Sequence, residues 1–381
     1  VFAEKAEEKR EIGASGISGI SFSGRLREHN CHWYDAAPSI VETPARWYYA
    51  KQGKSSAFTV RKPSKPQQEN PYKNRFKQGA TIVPRCFYFV KVLGSPPNFH
   101  NRTLTVSTSD DIQLDAKAPW KGIEFSYKRI ESLFLFRTAL SKSILPFALF
   151  RPDLVVLPIL IEPKQAIQRI RLLSATELLR AGYIQASNWF ANGEQIWQLH
   201  RTEKNSNITS EAYLNWQNKL TAQNLDHPYL VLYNASAKDA NATVVKRTEL
   251  DLTFIVESTT YWYSSNDLEE AYYLASLLNA EAPNAMMKDF QARGLFGPRH
   301  VHKKILDIYF PMYDSENAEH RRLAELGEIC HERSTRFLQD TPPNVPLTTS
   351  QLGKLRVAIR KHLSQELQEI DTLARAVMGM P

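Results

Sequence analysis

Near the C-terminus apolar residues return at alternating steps of four and three: Leu363, Leu367, Ile370, Ala374 and Val377. A period near 3.5 sets them along one side of an α-helix, in the spacing of helices that lie side by side. The expected helix runs over 350–377. A second amphipathic stretch, 316–337, carries Leu323, Leu326, Cys330 and Phe337 on one stripe. The DTPPNVP segment between them (340–346) interrupts helix, because proline lacks the N–H and crowds the preceding turn. Two helices joined by a short proline turn predict an antiparallel hairpin over 315–381. Its stripe serves either as intramolecular core or as a docking face for a partner.

The rest of the chain has a different texture. Residues 1–125 read as β-rich and irregular, with strands expected at 80–92 and 103–107 between Gly/Pro/Asn/Ser clusters. RKPSKPQQENPY (61–72) is a polar loop punctuated by proline. Apolar strands follow within 132–161. Ser174-Ala-Thr-Glu177 has the form of a capping box and opens a helix over 178–186; 189–200 is expected to contain extended pieces. Further helices are expected from Thr209 to about 224, and over 267–280 with Leu268, Tyr272, Ala275 and Leu278 on one face, continuing as a second helical piece over 281–291. Strands are expected at 229–235, 243–246 and 252–257. The pattern as a whole predicts an α+β protein in three parts: a basic β-rich part (1–130), an α+β part (131–314), and the helical hairpin (315–381).

With 381 residues, 43% hydrophobic and rich in Phe, Tyr and Trp, the chain can bury a core without disulfides. Its three cysteines, Cys31, Cys86 and Cys330, are far apart and show no metal-binding spacing. That pattern fits a reducing cytosol. The longest apolar run, 144–161, is broken by Arg151, Asp153 and three prolines, and is no membrane span. The charged opening VFAEKAEEKREIG lacks the apolar core of a signal peptide. A cytoplasmic protein without a membrane partner is expected. The start at Val1 rather than Met leads us to expect a piece of something longer.

The formal net charge is +8, but it is not spread evenly. Residues 45–130 hold sixteen bases and five acids, so this window is +11 and the remainder −3. Aromatics are interleaved there: Trp47, Tyr48, Tyr49, Phe58, Tyr72, Phe76, Phe87, Tyr88 and Phe89. Bases neutralise phosphates and aromatics pack against bases of nucleic acid. The competing reading is a solvated β surface.

Several catalytic patterns are missing: no phosphate-binding lysine loop, no GxSxG elbow, no HExxH helix. The glycines of 13–19 have the wrong spacing for a dinucleotide site. Pro152-Asp153 with Glu162-Pro163-Lys164 resembles the acid–acid–lysine set of metal-dependent nucleases, which needs two carboxylates on one cation. Only eight residues separate the acids, and Pro158 interrupts them; a strand pair with polar ends accounts for the match. Ser95-Pro96-Pro97-Asn98 approaches the motif of amino-methyltransferases, yet Phe99 falls one place late, and it reads as a turn.

Two stretches point to a polyanionic partner. QARGLFGPRHVHKK (291–304) presents Arg293, Arg299, His300, His302, Lys303 and Lys304 from a Gly/Pro-containing loop. YKNRFKQGATIVPR (72–85) combines Tyr72, Arg75, Lys77, Gln78 and Arg85 around a glycine turn. Arginine binds guanine bidentately and lysine suits phosphate. A scaffold acting through the C-terminal helices remains the alternative to DNA binding, as does a nuclease using Asp153, Glu162 and Lys164.

At these stretches the sequence resembles a family. FKQGATIVPRCFYFV (76–90), KLTAQN with YLVLYNASAKDANATVV (219–245), the run 271–314 ending in HVHKKILDIYFPMYD, and AEHRRLAELG (318–327) are similar, in order, to the target-recognition region of large N6-adenine DNA methyltransferases of the type I and type IIG restriction-modification kind. The resemblance implies a β-containing recognition module with helical spacers that binds double-stranded DNA. It implies no cofactor in this chain. S-adenosylmethionine and methyl transfer would belong to a catalytic domain in the same parent chain or in a separate subunit. The eleven residues named in the two basic stretches are the expected DNA contacts.

Overall fold

In a computed structural model, residues 15–26, 28, 30–60, 62, 68–94, 97–164, 167–294, 297–298 and 300–379 are described. The protein is α+β, as expected, with several small antiparallel sheets and helices gathered toward the C-terminus.

The first large sheet has five strands, in the order Lys128–Glu131, Thr103–Thr108, Phe89–Val92, Asp153–Val156, Leu135–Thr138. Strands from both sides of position 130 thus share one sheet. Both faces carry buried apolar residues, Phe89, Phe136 and Val155 on one and Val90, Val106, Ile130 and Leu154 on the other, and they share a core with Leu178, Trp189, Phe190 and Trp197 of two helices, Ala175–Arg180 and Ile184–His200. The capping box at Ser174 forms: the Ser174 hydroxyl accepts from the Glu177 N–H, and a Glu177 oxygen accepts from the Ser174 N–H at 2.8 Å. The chain then turns at Gly182, in the left-handed region (φ +84°), and starts a new helix. The buried carboxylate of Glu131 accepts from the N–H groups of Gln185 and Ala186 at 3.0 and 2.8 Å, placing negative charge at that helix start. The extended pieces expected at 189–200 are helical instead. Trp189, Phe190 and Trp197 return on one helical face, and the Trp189 indole N–H donates to the Phe87 carbonyl at 2.9 Å.

The second large sheet has four strands, in the order Ala242–Lys246, Tyr229–Asn234, Thr260–Ser265, Lys77–Gln78. It is buried on both faces. Val231, Tyr233, Val244 and Tyr261 meet the helical layer, while Leu230, Leu232, Val245 and Trp262 meet Ile144, Phe254 and Val256. The expected strand at 252–257 joins no ladder. Its backbone stitches the two large sheets: Ile255 N–H donates to Arg137 O, and Ala80 N–H donates to Val256 O, both at 2.8 Å. Gly79 makes this approach possible, since a Cβ there would lie 2.4 Å from the Glu257 carbonyl oxygen.

The helical layer begins with Leu268–Asn279, capped by Asp267, and Glu281–Lys288. Ala318–Asp340 crosses it closely at Gly327, where a Cβ would meet the Tyr272 carbonyl oxygen at 2.5 Å. The expected helix at 350–377 forms as two, Thr349–His362 and Ser364–Val377, bent at Leu363. Ser364–Val377 returns antiparallel to Ala318–Asp340, with Arg333 paired with Glu366 and Arg322 with Glu369, and Phe337 packs against His362 at the bend. The apolar stripe is intramolecular core. Leu363, Ile370 and Ala374 are fully buried in the same cluster as Leu278, Leu323 and Cys330. Apart from both sheets, a three-stranded antiparallel ribbon, Ile17–Gly24, Ile40–Gln52 and Ser55–Thr59, leaves Ile20, Phe22 and Val41 exposed. Among the described residues no helix is long and apolar enough to cross a membrane.

Candidate nucleic-acid interface

The Lys77–Gln78 strand lies at the open edge of the four-stranded sheet, paired with Tyr261 and Trp262. Beside it opens a cleft of about 360 Å³. Three distant parts of the chain build it: Asn74, Lys77 and Gln78 on the edge, Gln217 and Lys219 from a turn, and Lys303. Tyr261 and Trp262 form its wall, and among the described residues no carboxylate lines it.

Gln78, Lys219 and Lys303 are held in place by hydrogen bonds. The Lys219 ammonium donates to Gln78 Oε1 at 3.0 Å, and Gln78 Nε2 donates to the Ser258 carbonyl at 2.8 Å. The Gln78 amide therefore has a fixed orientation with one N–H and one lone pair to spare. The Lys77 ammonium sits 5.8 Å from the centre of the Trp262 ring. The Trp262 indole N–H is buried without a hydrogen-bond partner. Lys303 donates to the Lys73 carbonyl at 3.4 Å, and Lys73 is itself paired with Asp307 at 2.7 Å. Burial, then the Lys73 charge, hold the Lys303 ammonium below the usual lysine range. An anion bound there would relieve both effects.

Gln217 and Asn218 have φ of +56° and +59°, a strained choice for residues other than glycine. Asn215 fixes the turn: its side-chain oxygen accepts from the N–H groups of Leu220 and Thr221, each at 3.1 Å. This backbone places Gln217 and Lys219 at the cleft.

The expected contact residues divide. Lys77, Gln78 and Lys303 meet in the cleft. His302 stands beside it, edge-on to Tyr261 and stacked on the exposed His300 ring, with centroids 5.4 Å apart. Burial and the charges of His300 and Lys304 lower the His302 pKa, so its imidazole is neutral at neutral pH. Arg75 is exposed, with its guanidinium 5.8 Å from the centre of the Tyr72 ring. Tyr72 is fully buried; its hydroxyl donates to Glu270 and accepts from the Tyr313 N–H, so the ring is part of the core. Arg85 lines a different cleft and stands 3.9 Å from the buried Glu257. Lys304 donates to the Phe290 carbonyl. Arg293 lies on the short Arg293–Gly294 strand, where only the backbone is described, and Arg299 falls outside the described residues. Sequence reasoning missed Gln217 and Lys219. The turn that presents them contains no glycine to mark it.

The nuclease-like set does not assemble. Glu162 accepts from Arg171 at 3.0 Å and lines a different cleft from Asp153, and the Lys164 side chain is outside the described set. Asp153 is unusual in its own right. One carboxylate oxygen, Oδ2, is buried without a partner. Burial pushes the Asp153 pKa from 3.8 to about 6, with Asp111 adding to the rise and Lys142, the Leu140 N–H and Arg85 opposing it. A carboxyl that holds its proton more tightly when folded costs stability once ionised. This cost grows as pH rises from 3.8 through 6. Asp153→Asn is therefore expected to stabilise the protein by about 3 kcal/mol at pH 7.5, with most of the gain lost near pH 4. Urea denaturation at both pH values checks this; an equal effect at both would contradict it.

No family model matches this chain, and no curated protein matches it. Among solved structures, the type IIL restriction-modification enzyme MmeI, determined in complex with DNA, aligns over 90% of this chain and 40% of that one, at 9% identity and a TM-score of 0.48. The chain thus spans well under half the length of that enzyme.

Proposed function

We propose that this chain is a duplex-DNA recognition module of the target-recognition kind, working with an N6-adenine methyltransferase domain and transferring no methyl group itself. The observation that carries the reading is the cleft, lined by no carboxylate among the described residues, where lysines from three distant parts of the chain converge beside the oriented Gln78 amide. In this reading Lys77, Lys219 and Lys303 take backbone phosphates and set register. Gln78, Gln217 and Asn74 face base edges, where a side-chain amide can pair bidentately with adenine. Arg75, His300 and His302 belong to the rim. The in-order resemblance of four sequence stretches to such modules supports the same conclusion.

S-adenosylmethionine and the chemistry belong, on this proposal, to a separate catalytic domain. Adenine must leave the helical stack to react, so the module's mechanical task is to hold the duplex while the base is extruded. The protein would act in the cytoplasm. Binding of the chain to duplex DNA across a salt series tests the proposal, because phosphate contacts release counterions and weaken as salt rises.

A further inference from the structure

Three amide side chains line the lysine cleft, and they differ in how firmly they are held. Asn74 and Gln217 are exposed and make no side-chain hydrogen bond among the described residues. Such an amide turns over freely, exchanging oxygen for nitrogen, and discriminates little between a donor and an acceptor on a base. Gln78 is half-buried and pinned at both ends. Its Oε1 accepts from the Lys219 ammonium at 3.0 Å, and its Nε2 donates to the Ser258 carbonyl at 2.8 Å. Turning the amide over would set nitrogen against the ammonium and oxygen against the carbonyl.

The partners of Gln78 are anchored in turn. The Ser258 N–H donates to the Ala80 carbonyl at 2.8 Å, and its hydroxyl donates to the buried Glu257 at 2.8 Å. Lys219 follows the turn that Asn215 fixes. Gln78 itself lies in the sheet ladder opposite Tyr261. Three segments of the chain therefore set which way this one amide faces.

An amide carries two N–H groups and two oxygen lone pairs. Lys219 and Ser258 use one of each, which leaves Gln78 one N–H and one lone pair. A partner that satisfies both must offer an acceptor beside a donor. In the major groove adenine offers N7 and the N6 amine, whereas guanine offers two acceptors, thymine only an acceptor and cytosine only a donor. Guanine would set its O6 against the remaining Gln78 lone pair. Resting on the duplex-DNA reading above, we propose that Gln78 determines specificity by reading adenine in an intact base pair, with Lys219 and the Ser258 carbonyl as its positioning partners. Lys219 keeps two N–H groups after its bond to Gln78, so it ties base reading to a backbone phosphate.

Selection from a randomised duplex library, with the full chain and its variants, tests the proposal. Affinity for the library as a whole reads duplex binding, and base frequencies at each selected position read Gln78. With the unaltered chain, at least one position prefers adenine about tenfold or more. Gln78→Met erases the preference at one such position and leaves the others as they were. Gln78→Glu accepts but cannot donate, so it moves that position toward cytosine. Lys219→Met weakens the adenine preference at the same position. Loss of a phosphate contact alone would not do so, because phosphate carries no base identity. Probes changed by one group need no variant: 7-deazaadenine lacks the N7 acceptor and purine lacks the amine. Each, placed at that position, weakens binding by the unaltered chain about fivefold and leaves Gln78→Met indifferent. If the chain binds duplex but no position prefers adenine, or the preference survives in Gln78→Met, or all positions degrade together, the proposal is overturned while the duplex reading stands. No affinity for the library overturns the duplex reading and this inference with it.

Discussion

Replacing Lys77, Lys219 and Lys303 together by glutamine is expected to lower affinity for duplex DNA about 100-fold at physiological salt. Each phosphate contact contributes about 0.9 to the slope of log affinity against log salt, so losing three removes roughly 2.7 from that slope. Extrapolated from about 1 M salt, where the ionic contribution is largely gone, to about 0.15 M, that amounts to two orders of magnitude. The substitution is mild toward the fold. Lys77 is exposed at a sheet edge, and Lys219 and Lys303 are half-buried with only hydrogen-bond partners. Glutamine keeps a donor for Gln78 Oε1 and for the Lys73 carbonyl. Arg336, Lys354 and Lys361, exposed on the Ala318–Asp340 and Thr349–His362 helices, serve as a charge-matched control whose replacement should change affinity far less. Fluorescence anisotropy with a labelled duplex reads the effect, and a thermal melt confirms the fold. Equal losses in the cleft and control variants would assign the binding to overall charge.

Removing residues 349–381 is expected to abolish cooperative folding. The last two helices fill the core under Ala318–Asp340, with Leu363, Ile370 and Ala374 fully buried. Burying each large side chain contributes about 1.5–3 kcal/mol. Polar losses follow. Arg360, deeply buried and held below its usual pKa mainly by burial, donates to the carbonyls of Asn279 and Ala240 at 2.9 and 3.2 Å. Arg356 donates to Ser141 and Ile144 at 2.8 and 2.9 Å. Asp371 accepts from the Ala282 N–H at 2.6 Å. Deletion strands these groups and exposes Leu323, Leu326 and Cys330, and the sum is comparable to the whole stability of a typical domain, about 5–15 kcal/mol. Near-UV circular dichroism and a urea titration check this. A truncated chain that still unfolds cooperatively would return the helices to the role of a detachable docking arm.

What the sequence disclosed follows from how local each signal is. The Ser174 capping box, the Asp267-capped helix and the four-three stripe are set by neighbours within a turn or two, and all three appear in the structure. Residues 252–257 looked like a strand because they are apolar. Their burial comes instead from lying between two sheets, with Ile255 in one core and Phe254 and Val256 in another. The strand Thr260–Ser265 went unread because Thr-Tyr-Trp-Tyr-Ser-Ser shows no polar–apolar alternation, and its ladder is set by the distant Tyr229–Asn234 and Lys77–Gln78 strands.

The candidate site shows the same division. Lys77, Gln78 and Lys303 were legible as basic and amide residues in short stretches. Tyr72 had the same appearance, but its hydroxyl finds Glu270 across the core, a pairing that no local pattern reports. Lys219 and Gln217 depend on a left-handed turn at two residues that are not glycine, held by Asn215. Convergence of three chain segments on one cleft is a property of the sheet edge and is invisible before folding.

The salt dependence of duplex binding by the intact chain tests the central claim most directly. Equilibrium affinity measured from low to physiological salt should fall steeply, with a log–log slope near −3 or beyond, and the triple lysine variant should flatten that slope by roughly 2.7. An affinity that stays level across the same range, or a slope unchanged in the variant, would contradict the assignment of the lysine cleft to DNA.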